Sequence, residues 1–184
     1  MSRIKAATFC LHEKVVYPGH GVAQISRIVE KLVAGSRSCF FELKFLNKDM
    51  TILVPTHNLS SVGIRRLSSN EYICDIFKIL SEPSTKISFD VTTNWNKRNK
   101  DYQCKLRTGD LHEICKIYRD LKNMSYHKEL SFGEKDLLSR TEMLLAQEIS
   151  LVQNMAQDIA IDHLRAVFNK RPSHSRTSAL ATSL

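Results

Sequence analysis

One short segment of the chain combines an aromatic side chain with clustered bases. The single tryptophan, Trp95, lies in the sequence TTNWNKRNKDY, and Lys97, Arg98 and Lys100 follow it within five residues. Residues 92–107 contain five bases and one acid, which gives the segment a formal charge of +4. Ammonium and guanidinium groups neutralise phosphates, and an indole can enter a minor groove or stack on an unpaired base. These residue types indicate a nucleic-acid-binding surface.

The spacing of these residues predicts that they share a helix. In a helix over residues 94–106, Trp95, Arg98 and Tyr102 lie on one side, because they are separated by three and four positions. The other bases lie on adjoining faces: Lys97, Lys100 and Lys105. Two interpretations of Trp95 remain open at this point. The indole either packs on a helical bundle, with the bases as a solvated face, or it stays exposed at the helix start and contacts nucleic acid.

Other motifs that resemble catalytic or metal sites lack essential parts. The sequence YPGHGVA at residues 17–23 resembles a glycine-rich phosphate loop, but it has neither the lysine–serine pair nor GxGxxG spacing. It predicts a tight turn between two strands. His112 and Cys115 are one helical turn apart and their side chains can share a metal ion, but no second pair of ligands lies near them in the sequence. We therefore expect no enzymatic activity, no metal and no cofactor.

Composition and charge narrow the class of protein. The 184 residues are 42% hydrophobic, which suits one or two small globular domains. No run approaches the roughly 18 apolar residues that a membrane span requires. The five cysteines include no Cys-x-x-Cys pair, and we interpret them as reduced thiols of a cytoplasmic protein. A net charge of +8 favours an anionic partner, of which nucleic acid is the commonest.

The hydrophobic pattern changes from strands to helices along the chain. Short alternating runs separated by turns predict four or five strands in the first part, which would form a small, strongly bent sheet or open barrel. Apolar residues at helical spacing follow and predict a compact bundle. The sequence thus predicts an α+β protein with a β module over residues 1–68, an all-helical bundle over 69–168 and a disordered basic tail over 169–184.

Helix boundaries are also marked in the second part. The predicted starts are a capping box of Ser68 with Glu71, a cap at Thr108 or Asp110, and a capping box of Ser131 with Glu134. A polar linker is predicted just before Trp95. The last helical pattern predicts one long helix, or two helices with a break near residues 155–160.

Several motifs in a fixed order resemble the CarD/CdnL family of bacterial transcription regulators. KVVYPGHGVAQI, FFELKF and MTILVPTHNLSSVGIR resemble the family's Tudor-like RNA polymerase interaction domain, which also occurs in transcription-repair coupling factor. NWNKRNKDYQCKLRTGDLHEICKIYRDL and LSFGEKDLLSRTEMLLAQEIS resemble its tryptophan-plus-basic helix and its LS-x-GE-K helix. The resemblance extends from about Phe9 to Phe168, nearly the whole chain.

The resemblance implies a regulator of transcription initiation. In this family the β module docks on the RNA polymerase β subunit, and the helical domain lies on upstream promoter DNA at the edge of the transcription bubble. The match of Trp95 to the family tryptophan implies a wedge in the minor groove that stabilises the open complex without base-specific readout. The resemblance also matches Lys97 and Arg98 to bases that hold phosphates. Together with two further bases of the same predicted helix, the expected DNA-binding residues are Trp95, Lys97, Arg98, Lys100 and Lys105.

A second set of residues is assigned to the polymerase contact: Arg27, Lys31, Leu53 and Pro55. Lys31 matches a basic residue of the family surface. Leu53 stands where some members carry a second base, so the contact would be more apolar. His12 and Glu13 replace a Gly-Asp pair of the family. The alternative is a protein-interaction module of the transcription machinery that does not contact DNA. In both cases we expect a monomer in the cytoplasm, associated with the nucleoid and with no membrane.

Overall fold

The computed structural model describes residues 9–82 and 95–169 of the chain. The predicted linker and the predicted disordered tail fall mainly on residues 83–94 and 170–184, which lie outside this description. In the described ranges a five-stranded antiparallel sheet is followed by a group of α-helices. The predicted α+β fold class, with the β module first, is confirmed. No helix in these ranges is both long and apolar enough to cross a bilayer.

The sheet is built from sequential, antiparallel strands. They are β1 (Lys14–Tyr17), β2 (Gly21–Val33), β3 (Ser36–Phe45), β4 (Thr51–Pro55) and β5 (Arg65–Arg66), with a short helix α1 (Leu59–Val62) before β5. Their order across the sheet is β4-β3-β2-β1-β5. Ala34 and Gly35 form the β2–β3 turn with positive φ, as hairpin turns of this length require.

A β-bulge in β2 determines which way Arg27 faces. Ile25 pairs with Leu43 and Arg27 pairs with Glu42, so Ser26 is the extra residue. Without the bulge, Arg27 would oppose a residue on the core side of β3. With it, Arg27 lies opposite Glu42 on the outer side, where its side chain is exposed. A strict two-residue alternation along β2 would place Arg27 on the same face as Ile25, and the bulge at Ser26 prevents this.

The β module has its own hydrophobic core on the inner side of the sheet. Phe41, Leu43 and Phe45 alternate along β3 and are all buried, as their spacing predicts. The complete buried cluster consists of Phe9, Val15, Ala23, Ile25, Phe41, Leu43, Phe45, Val54, Leu59 and Ile64.

In the second part of the chain, the described residues form five helices. They are α2 (Asn70–Ser81), α3 (Trp95–Thr108), α4 (Leu111–His127), α5 (Phe132–Val152) and α6 (Gln157–Asn169). α5 is the central helix, because it packs against both α4 and α6. Apolar side chains from all five helices form one cluster that is separate from the core of the β module. The break between α5 and α6 lies at residues 153–156, slightly before the predicted position.

Two of the three predicted helix starts are confirmed. Asp110 caps α4, since its carboxylate accepts a hydrogen bond from the N–H of His112. Ser131 and Glu134 form the complete capping box of α5. Both signals are local in sequence, which explains why they could be identified from the sequence.

The predicted capping box at Ser68 is wrong. The cap of α2 is Ser69, whose hydroxyl accepts a hydrogen bond from the N–H of Tyr72. Ser68 instead donates hydrogen bonds through both its N–H and its hydroxyl to the carboxylate of Glu148 in α5. The two residues are 80 positions apart, so no local pattern contains this contact.

Candidate nucleic-acid interface

Trp95 is the first residue of α3 and lies half-buried against the helical core. Its closest neighbour on α5 is Gly133. A Cβ atom built on Gly133 would lie 3.1 Å from the indole Cζ2 and 3.5 Å from Nε1. A side chain at position 133 would therefore push the ring away. Glycine at this position allows the indole to rest on the first turn of α5.

The three residues that helical spacing places on one side of α3 form the inner side of this helix. Trp95, Arg98 and Tyr102 all face the bundle, and Tyr102 is buried. Burial raises the pKa of Tyr102 to about 12. The structure thus agrees in part with each interpretation of Trp95. The ring packs against the helical core, but part of it remains exposed to solvent.

Arg98 lies in an ion pair with a buried carboxylate. Its guanidinium Nη2 donates to Glu134 Oε1 at 2.9 Å, and the Arg98 side chain is only 16% exposed. Lys128 also donates to Glu134, as do the N–H and hydroxyl of Ser131. Burial alone would raise the pKa of Glu134, but the N–H of Ser131 and the charge of Lys128 outweigh it and leave the pKa below its ordinary value. Glu134 is therefore a charged anchor for the segment beside Trp95.

The other predicted bases differ in whether an acidic side chain lies near them. Lys105 lies 3.2 Å from Asp101 and 3.8 Å from Glu113, so acids of α3 and α4 partly neutralise it. Lys97 and Lys100 are exposed on the outer side of α3 and have no ion pair with any residue that the structure describes. The two lysines are the predicted bases best placed to meet an external anion.

Phe132 is an exposed aromatic residue that the sequence analysis missed. It is the first residue of α5, the immediate neighbour of Gly133, and it is 89% exposed. A signal was present in the sequence, because an aromatic residue directly follows the Ser131 cap and lies off the apolar stripe of α5. We call Trp95, Lys97, Lys100 and Phe132 the Trp95 surface.

The four residues assigned to the polymerase contact lie on one face of the sheet. Arg27, Glu42 and Leu53 are opposite one another across β2, β3 and β4. Because side chains alternate along a strand, the residues two and four positions beyond Arg27 share its face. The outer sheet face is thus formed by Arg27, Val29, Lys31, Phe40, Glu42, Leu53 and Pro55.

The charge on this outer sheet face is partly compensated. Arg27 Nη2 lies 2.8 Å from Glu42 Oε2, whereas Lys31 is exposed and lies opposite Ser38. The half-buried apolar residues of this face are Val29, Phe40, Leu53 and Pro55. The surface therefore combines apolar side chains with a base near the hairpin end, Lys31, that has no ion pair with any described residue. Val29 and Phe40 were not predicted, because the bulge that aligns them with Pro55 is not visible in the sequence.

The His112 and Cys115 pair is engaged inside the bundle. The His112 ring stacks on Tyr72 with 4.3 Å between centroids. The Cys115 thiol is buried and lies 3.8 Å from the carbonyl oxygen of Ile76. Within the described residues, no three histidine, cysteine, aspartate or glutamate side chains form a group that could hold a metal.

Comparison with known proteins covers most of the chain. Residues 10–68 match the CarD-like/TRCF RID domain, and residues 75–165 match the CarD C-terminal domain. A protein of Bacillus subtilis (strain 168) named "Putative transcription factor YdeB" is 26% identical over 149 residues, which cover 81% of this chain and 95% of that protein. The solution structure of the 72-residue N-terminal domain of Myxococcus xanthus CarD is 29% identical, with a TM-score of 0.29, and the match covers 32% of this chain and 79% of that domain.

The two domain matches follow each other in the order of the structural parts. The first ends where β5 leads into α2, and the second includes α3, α4 and α5 with the Trp95 surface. Both matches bear the name of a single family, and the Bacillus relative is similar over nearly its full length. The chain therefore belongs to the CarD-like family of transcription factors.

Proposed function

We propose that this protein regulates transcription initiation by binding the RNA polymerase β subunit and upstream promoter DNA at the same time. The outer sheet face contacts the polymerase. The Trp95 surface contacts the DNA at the edge of the bubble and stabilises the open complex. The observation that carries the DNA role is the half-buried indole of Trp95 at the start of α3, together with the exposed ring of Phe132 at the start of α5. The outer side of α3 adds Lys97 and Lys100, which form no ion pair with any described residue.

A wedge between bases must be apolar at its tip and firmly supported behind. Trp95 meets both requirements, because its indole packs closely on Gly133 and the Arg98–Glu134 ion pair fixes the next turn of α3. A ring that is already ordered loses little conformational entropy on binding. Phe132 adds a second apolar side chain at the start of the neighbouring helix. Aromatic and apolar wedges of this kind unstack base steps in the minor groove.

The bases supply affinity that does not depend on sequence. Lys97 and Lys100 can each neutralise a phosphate, and release of the counterions makes binding depend on salt. Arg98 acts in our proposal mainly as a positioning residue for α3, and Lys105 contributes less because two acids surround it. No arrangement on this surface indicates paired contacts to base edges, so the proposed binding follows the shape of the fork.

The polymerase role is supported by the match of residues 10–68 to the CarD-like/TRCF RID domain. The outer sheet face has the composition of a protein interface, with half-buried apolar side chains and exposed bases at its border. Lys31 is exposed and has no ion pair with any residue that the structure describes, so it can meet an acidic partner. We propose that the protein binds as a monomer.

A second function is favoured by the partial burial of Trp95. In this alternative the helices are structural and the protein acts only as a protein-interaction module within the transcription machinery. The fluorescence of the single tryptophan distinguishes the two proposed functions. Addition of forked promoter DNA quenches its fluorescence if the ring enters the groove, and leaves the emission unchanged if the ring only packs on α5.

The Trp95→Ala variant tests the wedge. We expect it to fold and to bind polymerase like the wild type, but to shorten the lifetime of open complexes in a competitor-challenge transcription assay. Trp95→Phe keeps an aromatic ring and should recover part of the lifetime. An alanine variant that binds polymerase and gives a normal lifetime would falsify the wedge role.

The lysines are tested through the salt dependence of DNA binding. Replacement of Lys97 and Lys100 by alanine should reduce the slope of log K against log [salt] by about 2, since each base neutralises about one phosphate. The matched control replaces Lys78 and Lys116, two exposed lysines paired with acids of their own helices. Equal slopes for the two double variants would remove Lys97 and Lys100 from the interface.

A further inference from the structure

The glycine-containing turn between β1 and β2 packs against the helices and does not open towards a ligand. Pro18 lies against Gly109, where a built Cβ would be 3.1 Å from the proline Cγ. Arg140 of α5 donates a hydrogen bond to the carbonyl oxygen of Gly19 at 2.9 Å. This turn is the part of the sequence that resembled a phosphate loop. Its surroundings give it a different role, as a contact between the two parts of the chain.

Gly21 and Val22 extend this contact into the sheet. A Cβ on Gly21 would overlap the side-chain oxygen of Gln147. The same oxygen accepts a hydrogen bond from the N–H of Val22 at 3.1 Å, and the Gln147 side-chain nitrogen lies 3.4 Å from the Val22 carbonyl oxygen. The amide of Gln147 thus pairs with the backbone of β2 as a neighbouring strand would. Only glycine at position 21 leaves room for it.

Glu148 forms the charged part of the same contact. Its side chain is 2% exposed, and Arg65 of β5 donates to both of its oxygens, at 2.7 and 2.8 Å. The N–H and hydroxyl of Ser68 also donate to it, at 2.9 and 2.7 Å. A buried carboxylate of the helical bundle is therefore satisfied by donors from the end of the β module. Without them its charge would remain buried and uncompensated, which is strongly unfavourable.

We propose that these contacts hold the β module and the helical bundle as one rigid body, with Gly21, Gln147 and Glu148 as positioning residues. We call the contacts of these three residues with the other part of the chain the joint. The consequence for transcription rests on the proposed function: once the outer sheet face is bound to polymerase, the joint holds the Trp95 surface at a fixed position relative to the DNA. A loose joint would leave polymerase binding intact, but each engagement of Trp95 would then require the bundle to be ordered anew.

Two native cysteines allow the joint to be measured without any partner. Cys39 is exposed on β3 and Cys104 is exposed on α3, whereas Cys115 is buried. With Cys10 and Cys74 replaced by serine, spin labels on Cys39 and Cys104 report the distance between the two parts by pulsed electron paramagnetic resonance. We expect a narrow distance distribution for the otherwise unchanged chain.

Matched variants separate the joint from general destabilisation. Gly21→Ala places a methyl group against Gln147, whereas Gly35→Ala imposes a similar positive-φ strain with nothing within 4 Å. Glu148→Gln removes a buried charge, whereas Glu129→Gln removes a charge that is 88% exposed. We expect the distribution to broaden in the first variant of each pair and not in the second. Equal widths in all four would overturn the proposal.

A milder variant covers the case in which Gly21→Ala or Glu148→Gln does not fold. Gln147→Ala keeps every charge and removes the amide that pairs with Val22, together with one methylene group. We expect the Val22 amide to exchange with solvent about tenfold faster, as loss of one hydrogen bond predicts, and the distance distribution to broaden. Unchanged exchange and width in this variant would also overturn the proposal.

Open-complex assays on the same variants distinguish the two proposals. If the joint matters for transcription, Gln147→Ala binds polymerase normally and shortens the open-complex lifetime. If wild-type protein has no effect on open complexes but the distance distributions behave as expected, the proposed function fails and the rigid joint stands. If the lifetime depends on Trp95 but the distributions do not change, the joint proposal fails and the wedge stands.

Discussion

Replacement of Glu134 by glutamine tests whether one buried carboxylate holds the Trp95 surface together. Glu134 is 1% exposed and accepts hydrogen bonds from Arg98, Lys128 and Ser131. Glutamine keeps the size of the side chain and its capping oxygen, because glutamine also serves in capping boxes. The variant therefore removes mainly the charge that faces two cations. We expect it to fold with a lower free energy of unfolding and with altered Trp95 emission, because Arg98 loses its anchor one turn from the indole.

The expected decrease in the free energy of unfolding depends on how exposed Arg98 and Lys128 are. Removal of one partner of a buried ion pair costs about 3–5 kcal/mol, whereas an exposed pair contributes about 1 kcal/mol or less. Arg98 is 16% exposed and Lys128 is 48% exposed, so Arg98 accounts for most of the effect. Because Arg98 keeps some contact with solvent and glutamine still offers it an oxygen acceptor, we expect Glu134→Gln to lower the free energy of unfolding by about 2–3 kcal/mol, less than for a fully buried pair.

Urea denaturation, followed by Trp95 fluorescence and far-ultraviolet circular dichroism, measures this loss. The matched control is Glu129→Gln, which makes the same chemical change at a carboxylate that is 88% exposed and paired with Lys135. We expect the control to change the free energy of unfolding by less than about 0.5 kcal/mol. Equal small losses in both variants would refute the view that Glu134 is an anchor.

The charge of Glu134 also makes the difference in unfolding free energy between the wild type and Glu134→Gln depend on pH. Although burial opposes ionisation, the hydrogen bonds from Ser131 and the charge of Lys128 hold the pKa of Glu134 below the ordinary value of 4.5. A carboxyl group with a lower pKa in the folded state stabilises that state above its unfolded pKa, and the contribution is lost as pH falls through the folded pKa. The difference between wild type and Glu134→Gln should be constant near neutral pH and shrink below pH 4.5. A difference unchanged down to a pH of about 2 would contradict the assignment.

Phe132, Gly133 and Cys115 provide three further tests. Phe132→Ala should leave the free energy of unfolding within about 0.5 kcal/mol of the wild type, because the ring is 89% exposed, but should weaken binding to forked DNA in a fluorescence titration; unchanged affinity would exclude the ring from the interface. Gly133→Ala should displace the indole by a few tenths of an ångström from its 3.1 Å approach, which increases acrylamide quenching of Trp95, and unaltered quenching would contradict the packing. Cys115 should resist thiol reagents until the protein unfolds, since burial raises its pKa to about 12, whereas the four exposed cysteines react at once; a fifth fast thiol would contradict the burial.

Local patterns were sufficient to predict most of the fold. The alternation along β3 identified a buried face, and the caps at Asp110 and Ser131 identified two helix starts, because in each case the interacting groups lie within a few residues of one another. The positions of Ser26 and Ser68 could not be predicted from local patterns. The bulge at Ser26 depends on pairing with β3, and Ser68 is held by Glu148, so neither could be deduced from neighbouring residues.

The candidate site was predicted in outline but not in its contacts. Helical spacing correctly grouped Trp95, Arg98 and Tyr102, but it could not show that this side of α3 faces the bundle. The partner of Arg98 lies 36 positions away, at the start of another helix. Phe132 lies off the apolar stripe of α5, which indicates a solvent-facing position, but its nearness to Trp95 depends on how α3 packs on α5.

The position of Arg98 changes how the basic segment should be tested. Lys97 and Arg98 are adjacent in sequence, but neighbours in a helix point about 100° apart, so one faces solvent and the other faces α5. A joint replacement of these two residues would remove a candidate phosphate contact and also leave Glu134 without its main partner. Weaker DNA binding by such a variant would then have two causes. Lys97 and Lys100 share the solvent side of α3, so their joint replacement reports on phosphate contact alone.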